Sequence, residues 1–191
     1  MAQRAGLRAE RRRLVGLARG ATIEIGAGTG LNLEHYGSAV TRLVLVEPDR
    51  RMARRLRARA ARDWPGAEIV HEVAARLPFA DAGFDTAVVT AVLCTVADPT
   101  AALAEIARVL RPGGLLLFGE HVRSEDPRLA AWQDRLRPLW RLLADGCEPN
   151  RRTLAAIEAS PLRLEWVRRG RVPGAPPIVR PMIAGAARRE G

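Results

Sequence analysis

Three glycines, Gly26, Gly28 and Gly30, alternate within the stretch Glu24-Ile25-Gly26-Ala27-Gly28-Thr29-Gly30. The apolar run before them, Ala21 to Ile25, reads as a short buried strand, and a short helix is expected to begin near Leu31. A glycine turn between a strand and a helix is an anion and nucleotide site. Glycine lets the backbone approach a ligand closely, and the helix N-terminus offers free N–H groups. The spacing narrows the ligand. Dinucleotide sites use G-x-G-x-x-G, and here the third glycine of that pattern is replaced by Leu31. Glu24 stands two residues before the first glycine, where its charge would repel a pyrophosphate but suit an ammonium group. Glu47 ends the next apolar run, roughly 20 residues on, where a carboxylate reaches ribose hydroxyls. Pro48 then fixes the exit of the chain from that strand.

These residues need a scaffold, and the hydrophobic pattern supplies one. Residues 1–20 read as a basic helix, with Leu7, Leu14 and Ala18 on one face and Gly20 closing it. Arg42 to Val46 is a second strand, and Asp49 caps a helix running to about Ala61. Glu68 to His71 and Phe84 to Thr90 are the third and fourth strands. A helix starts at Pro99 and runs through Val109; Pro112-Gly113-Gly114 breaks the chain before a fifth strand, Leu115 to Gly119. Residues 126–160 form a helical insertion on the substrate side, with Leu129 to Leu143 in one helix and Asn150 capping another. Leu162 to Val167 and Ile178 to Ala184 are the last strands, joined by a turn at Pro173 to Pro177. Strands alternating with helices imply βαβ units. Continuously apolar runs such as Arg42-Leu43-Val44-Leu45-Val46 mark strands covered on both faces. The predicted fold is α/β: one Rossmann-like, doubly wound domain over 1–191, with a mostly parallel seven-stranded sheet and helices on both faces.

Composition bounds the function. The chain of 191 residues is 48% hydrophobic and 27% charged, ordinary for a globular domain. No apolar run approaches the roughly 20 residues of a membrane span, and Met1 to Arg13 is too charged for a signal peptide, so the expected localisation is cytoplasmic. Cys94 and Cys147 have no metal-ligand spacing and are expected to be reduced. The net charge of +10 arises wholly from arginine, since there is no lysine. Arginine and alanine richness fits the codon bias of a GC-rich genome. Aromatics are 4%, leaving few rings to stack on bases, so no specific nucleic-acid partner is expected. Weak contact with an anionic membrane surface follows from the charge itself. The oligomeric state is left open.

On these motifs the chain resembles the class I methyltransferases. Glu24 to Gly30 is similar to their first motif and Glu47 to their second. Ala75-Arg76-Leu77-Pro78-Phe79 with Phe84-Asp85 resembles the adenine-side loop and fourth strand, and Arg108 to Gly114 the turn before the fifth. The resemblance implies S-adenosylmethionine as cofactor, its amino-acid end near Glu24 and its ribose near Glu47. Many members carry an acid where this chain has Val73, so Val73 and Ala74 would hold adenine by packing and backbone bonds. Val92-Leu93-Cys94-Thr95-Val96, Glu120-His121-Val122 and Trp140 with Asp145-Gly146-Cys147 resemble, more narrowly, the methyltransferase-like alkyl-thiol methyltransferases and their bacterial relatives. That likeness implies a small, lipophilic methyl acceptor such as a thiol.

Methyl transfer from a sulfonium asks the protein mainly for position and orientation. Ligands of open α/β sheets bind at the carboxyl ends of the strands, which places Thr90, Glu120 and His121 near the cleft. His121 is the first candidate for a substrate-side base; the alternative is a strand-end histidine bonded to backbone. Glu120 and His121 should face opposite ways if the strand continues. Asp145 is a second catalytic candidate, or a turn residue before Gly146. Trp132 and Trp140 line a substrate pocket or pack in the core. His35 and His71 are read as structural or exposed. Alternative functions are a phospholipid or quinone methyltransferase and a nucleic-acid binder. The last lacks the Asn/Asp-Pro-Pro-aromatic motif, since the chain reads Thr90-Ala91-Val92-Leu93 there. A nicotinamide oxidoreductase is disfavoured by Leu31 and Glu24.

Overall fold

The computed structural model describes residues 2–191, with side chains from Arg8 onward. Helix α1 (Ala2–Val15) precedes strand β1 (Gly20–Ile25) and strand β2 (Val40–Val46). Helix α2 (Arg50–Asp63) leads to β3 (Glu68–Val70) and β4 (Phe84–Thr90). Helix α3 (Pro99–Val109) runs directly into β5 (Leu110–His121). Helices α4 (Pro127–Leu143) and α5 (Thr153–Glu158) precede β6 (Leu162–Arg171) and β7 (Pro181–Arg189). The seven strands form one sheet in the order β3-β2-β1-β4-β5-β7-β6. Only β7 runs antiparallel to its neighbours. Among the described residues no helix is long and apolar enough to cross a membrane.

Both faces of the sheet are covered, as the continuous apolar runs require. Ile23, Val44, Val46, Ala87, Val89 and Leu116 point to the face packed by Leu103 and Ile106 of α3 and Ile157 of α5. Leu43, Leu45, Val88 and Leu117, the intervening residues, point to the other. There they meet Leu14 and Val15 of α1 and Leu56 and Ala60 of α2. Asp49, Asp98 and Asp126 cap α2, α3 and α4, each carboxylate accepting first-turn N–H bonds, which contributes about 1 kcal/mol per cap.

Several sequence expectations are corrected. Leu7 lies outside the described side chains. Gly20 does not close α1, which ends at Val15; Gly20 opens β1 instead. The helix expected near Leu31 is only a 3-10 turn, Leu33–His35. Pro112-Gly113-Gly114 does not separate α3 from the fifth strand. β5 starts at Leu110 opposite Phe84, and the segment bulges out before Leu115 rejoins the ladder opposite Thr86. Asn150 caps no helix: α5 starts after Arg152 without a side-chain cap, while the Asn150 amide donates to Asp134 at 2.9 Å.

The last strand also moves. Ile178 lies in a 3-10 turn, and β7 extends to Arg189 through Ala184-Gly185-Ala186-Ala187. Such small residues have weak strand preference, and packing overrides it. A Cβ on Gly185 would lie 2.4 Å from the Phe118 ring and 2.5 Å from the Trp166 carbonyl oxygen. Gly185→Ala is therefore expected to destabilise the protein by about 2 kcal/mol through overpacking. Thermal denaturation should show this as a Tm lower by about 4–8 °C; an unchanged Tm would mean the two strands separate freely here.

Candidate active site

The sheet order reverses between β1 and β4, so the loops after these strands diverge and leave a crevice at their carboxyl ends. The glycine turn lines one wall. Gly26, Gly28 and Gly30 all have left-handed backbone, φ 67°, 59° and 78°, which favours glycine at each. Their surroundings differ. A Cβ on Gly26 would strike Val92 at 2.5 Å, and one on Gly30 would strike Leu33 at 2.7 Å. At Gly28 there is nothing within 4 Å, so that α-carbon borders open space into which a ligand can fit. Gly30 is the one expected cofactor contact that does not line the cleft; it packs α2 against the turn.

Glu24 is fully buried at the end of β1. The Asn32 amide donates to one of its oxygens at 2.8 Å and the Tyr36 hydroxyl to the other at 2.7 Å. Burial pushes its carboxyl up to about 7, against the pull of the Tyr36 and Asn32 hydrogen bonds. The same Asn32 amide donates to the Thr90 hydroxyl at 3.0 Å, tying β1 to β4. The Asn32 Oδ1 atom is buried with no hydrogen-bond partner among the described residues. An unpaired acceptor beside a carboxylate is what an ammonium donor would satisfy.

Glu47 follows β2. Its Oε2 accepts the Gly28 N–H at 2.7 Å and its Oε1 the Asp49 N–H at 2.8 Å. Each oxygen keeps a second lone pair. Pro48 is exposed beside it, Val73 is 49% exposed on the facing wall, and Ala74 is buried. His71 is a structural residue, its Nδ1 lying 3.0 Å from the Glu47 carbonyl oxygen. His35 is half-buried and does not line the cleft, and burial lowers its proton affinity.

The other end of the cleft is apolar. His121, Cys94, Cys147 and Trp140 line it together with Val172, Ala175 and Val179. The expectation that Glu120 and His121 face opposite ways matches the geometry. Glu120 turns inward, accepting the Val92 and Cys94 N–H groups at 2.9 and 3.1 Å, and burial raises its carboxyl well above the ordinary range. His121 faces the cleft. Burial lowers its proton affinity, opposed by a backbone bond to Val179, and its Nδ1 is buried without a partner among the described residues. Asp145 sits exposed at the rim in left-handed backbone, φ 47°. Trp132 is 57% exposed on the outer face of α4 and does not reach the cleft.

The whole cleft has a volume of about 1090 Å³. A single small-molecule pocket spans about 300–1,000 Å³, so there is room for a nucleoside-sized molecule and a small second one. Every expected site residue other than Gly30 lies on its wall. Sequence reasoning missed Asn32, Tyr36 and Arg11. Arg11 reaches the Glu24 end from α1. Its spacing of three and four residues from the buried Leu14 and Val15 puts it on the inward face, a signal hidden by the many other arginines.

Residues 23–118 match the model of the family described as "Methyltransferase domain". The chain is 34% identical over 178 residues to the thiol S-methyltransferase TMT1A of Homo sapiens, covering 86% of this chain and 69% of that one. It is 36% identical over 153 residues to the thiol S-methyltransferase TMT1B of Rattus norvegicus, covering 75% of this chain and 62% of the relative's length. Part of each relative thus has no counterpart here. The fold matches the crystal structure of the N-methyltransferase NodS of Bradyrhizobium japonicum with a TM-score of 0.72 at 19% identity, covering 99% of this chain and 97% of that one. With this family match, this degree of kinship and this strand order, the chain belongs to the class I methyltransferases.

Proposed function

We propose that the protein transfers a methyl group from S-adenosylmethionine to a small apolar acceptor, with a thiol as the favoured class. The observation that carries this reading is the two-ended cleft: paired acids and a glycine turn at one end, and an apolar pocket holding a neutral histidine at the other. The cofactor, when bound, supplies an electrophilic methyl group on a sulfonium.

The chain's residues divide the remaining work. Glu47 accepts the ribose hydroxyls while holding the Gly28 and Asp49 N–H groups in place. Glu24 and Asn32 accept the ammonium group, and Arg11, at the same end, faces the carboxylate. Pro48, Val73 and Ala74 enclose adenine by packing. Gly26 and Gly28 keep the wall free of side chains, and Thr90 is held by Asn32 at the base. The segment 126–160 supplies Trp140, Asp145 and Cys147 to the acceptor end. His121 takes the acceptor proton at Nδ1 as sulfur attacks. Asp145, exposed at the rim, shapes the turn into that wall.

His121→Ala is expected to lower turnover of a thiol about 10²-fold at neutral pH, with cofactor affinity unchanged. Activity should recover as pH passes the acceptor's ordinary pKa of about 8.5, where thiolate forms unaided. A variant with full activity across neutral pH would remove His121 from the mechanism.

A second reading has one observation in its favour. Trp132, Leu139, Leu142 and Leu143 are exposed on α4 beside the exposed Arg128 and Arg135, an arrangement suited to an anionic lipid surface. The acceptor would then be a phospholipid or quinone. Incubation with labelled S-adenosylmethionine and a panel of thiols, phenols, amines and phosphatidylglycerol vesicles decides between them. Label in thioethers supports the first reading. Label in lipid supports the second, and label in neither overturns both.

A further inference from the structure

The acceptor end contains two free cysteines, both buried, from segments far apart in sequence. Cys94 follows β4, and Cys147 follows α4. Their sulfurs lie 3.7 Å apart. The segments that carry them are fastened on both sides. The Glu148 N–H donates to the Cys94 carbonyl at 2.8 Å, and the Cys94 N–H donates to Glu120. The Arg151 guanidinium donates to the carbonyls of Leu93 and Val96 at 2.8 and 2.5 Å. A disulfide bond is about 2.05 Å long, so the sulfurs need approach by less than the length of one further bond, within reach of side-chain rotation. The two thiols are also unequal. Cys147 is 9% exposed and Cys94 fully buried, and the contact with the Cys147 sulfur together with burial holds the Cys94 thiol well up. Cys147, the more accessible of the two, is the thiol that an incoming small disulfide reaches first, and Cys94 the one that resolves.

We propose that Cys94 and Cys147 form a reversible disulfide across the acceptor end of the cleft, made by exchange with a low-molecular-weight disulfide. The Cys147 thiolate attacks one sulfur of that disulfide, forming a mixed disulfide and releasing one thiolate. The Cys94 sulfur then attacks the Cys147 sulfur; the second small thiolate leaves and takes up the Cys94 proton. Two protein thiols are oxidised and one small disulfide is reduced to two thiols, so the step balances with no further oxidant. The bond draws the wall of the acceptor pocket together and leaves the glycine turn, Glu24 and Glu47 untouched. On the reading that thiols are the acceptors, the same class of molecule that reopens the pocket is the one methylated there, so the site opens only where thiol exceeds its disulfide.

The test uses the whole chain and bis(2-hydroxyethyl) disulfide. Exposure should remove both alkylatable thiols, lower the intact mass by two hydrogens and yield a proteolytic peptide joining Cys94 to Cys147, all reversed by dithiothreitol. Cys94→Ser should instead accumulate the mixed disulfide on Cys147, and Cys147→Ser should stay unmodified. A stable mixed disulfide on the unaltered protein, or no reaction, overturns the proposal. If a variant does not fold, peptide mapping of the unaltered chain still decides. Calorimetry should find S-adenosylhomocysteine binding the oxidised chain as tightly as the reduced one, while turnover is lost; retained turnover overturns the gating. A cross-link in a chain that methylates nothing would sink the proposed function and leave the dithiol standing.

Discussion

Glu47→Ala is expected to weaken S-adenosylhomocysteine binding by about 10³-fold in calorimetry, the largest loss from any single truncation in the cleft. The side chain makes two kinds of bond at once. On the proposed function its free lone pairs accept the ribose hydroxyls, and charge-assisted bonds contribute about 1.5–3 kcal/mol each. Its other lone pairs hold the Gly28 and Asp49 N–H groups at 2.7 and 2.8 Å, so truncation also releases the turn against which the ligand packs. A total of about 4 kcal/mol corresponds to that 10³-fold change. The fold should persist, because neither apolar cluster includes Glu47. Wild-type affinity in a folded Glu47→Ala protein would remove the residue from the site and the ribose assignment with it.

The second large effect concerns pH. Glu24 is held at about 7 by burial, whereas in the unfolded chain it titrates near 4.5. The folded protein therefore binds more protons than the unfolded one between these values. Stability of the ligand-free protein should be fullest below about pH 4.5 as far as Glu24 is concerned, and should fall as pH rises through about 7. The shift is worth about 3 kcal/mol. An ammonium ligand reverses the preference, since it favours the ionised carboxylate. Affinity should then rise about tenfold per pH unit below 7 and level off above it, with one proton released on binding. Glu24→Gln keeps the size and removes the charge. It should flatten both profiles and bind weakly at pH 8. Melting curves from pH 5 to 8, and calorimetry in buffers of different ionisation enthalpy, measure the two effects. Slopes that survive in Glu24→Gln would assign them to another group.

Locally encoded features were legible in advance. Gly26 and Gly28 announce a left-handed turn because few other residues adopt that backbone. Glu24 and Glu47 flank it at spacings set by strand length alone, and the apolar runs of β2 and β5 mark a buried sheet. The aspartates before α2 and α3 cap them through bonds two or three residues away. A single reading frame of a few residues contains all the information these features need.

What escaped the sequence depends on partners distant along the chain. β7 is a strand because its small residues fit between Phe118 and the Trp166 backbone, not because alanine and glycine prefer one. Arg11 matters only because α1 packs across the sheet and aims it at Glu24. Asn32 becomes informative once Glu24 and Thr90, 8 and 58 residues away, are both in reach. Cys94 and Cys147, 53 residues apart, become a pair only when α4 returns its turn to the end of β4. The sequence by itself determined the glycine turn, its two acids and the alternating elements, since these follow from backbone sterics and short-range periodicity. The tertiary structure alone decided which groups share the cleft, because burial, proton affinity and sulfur-to-sulfur distance arise from packing between segments that the linear order keeps apart.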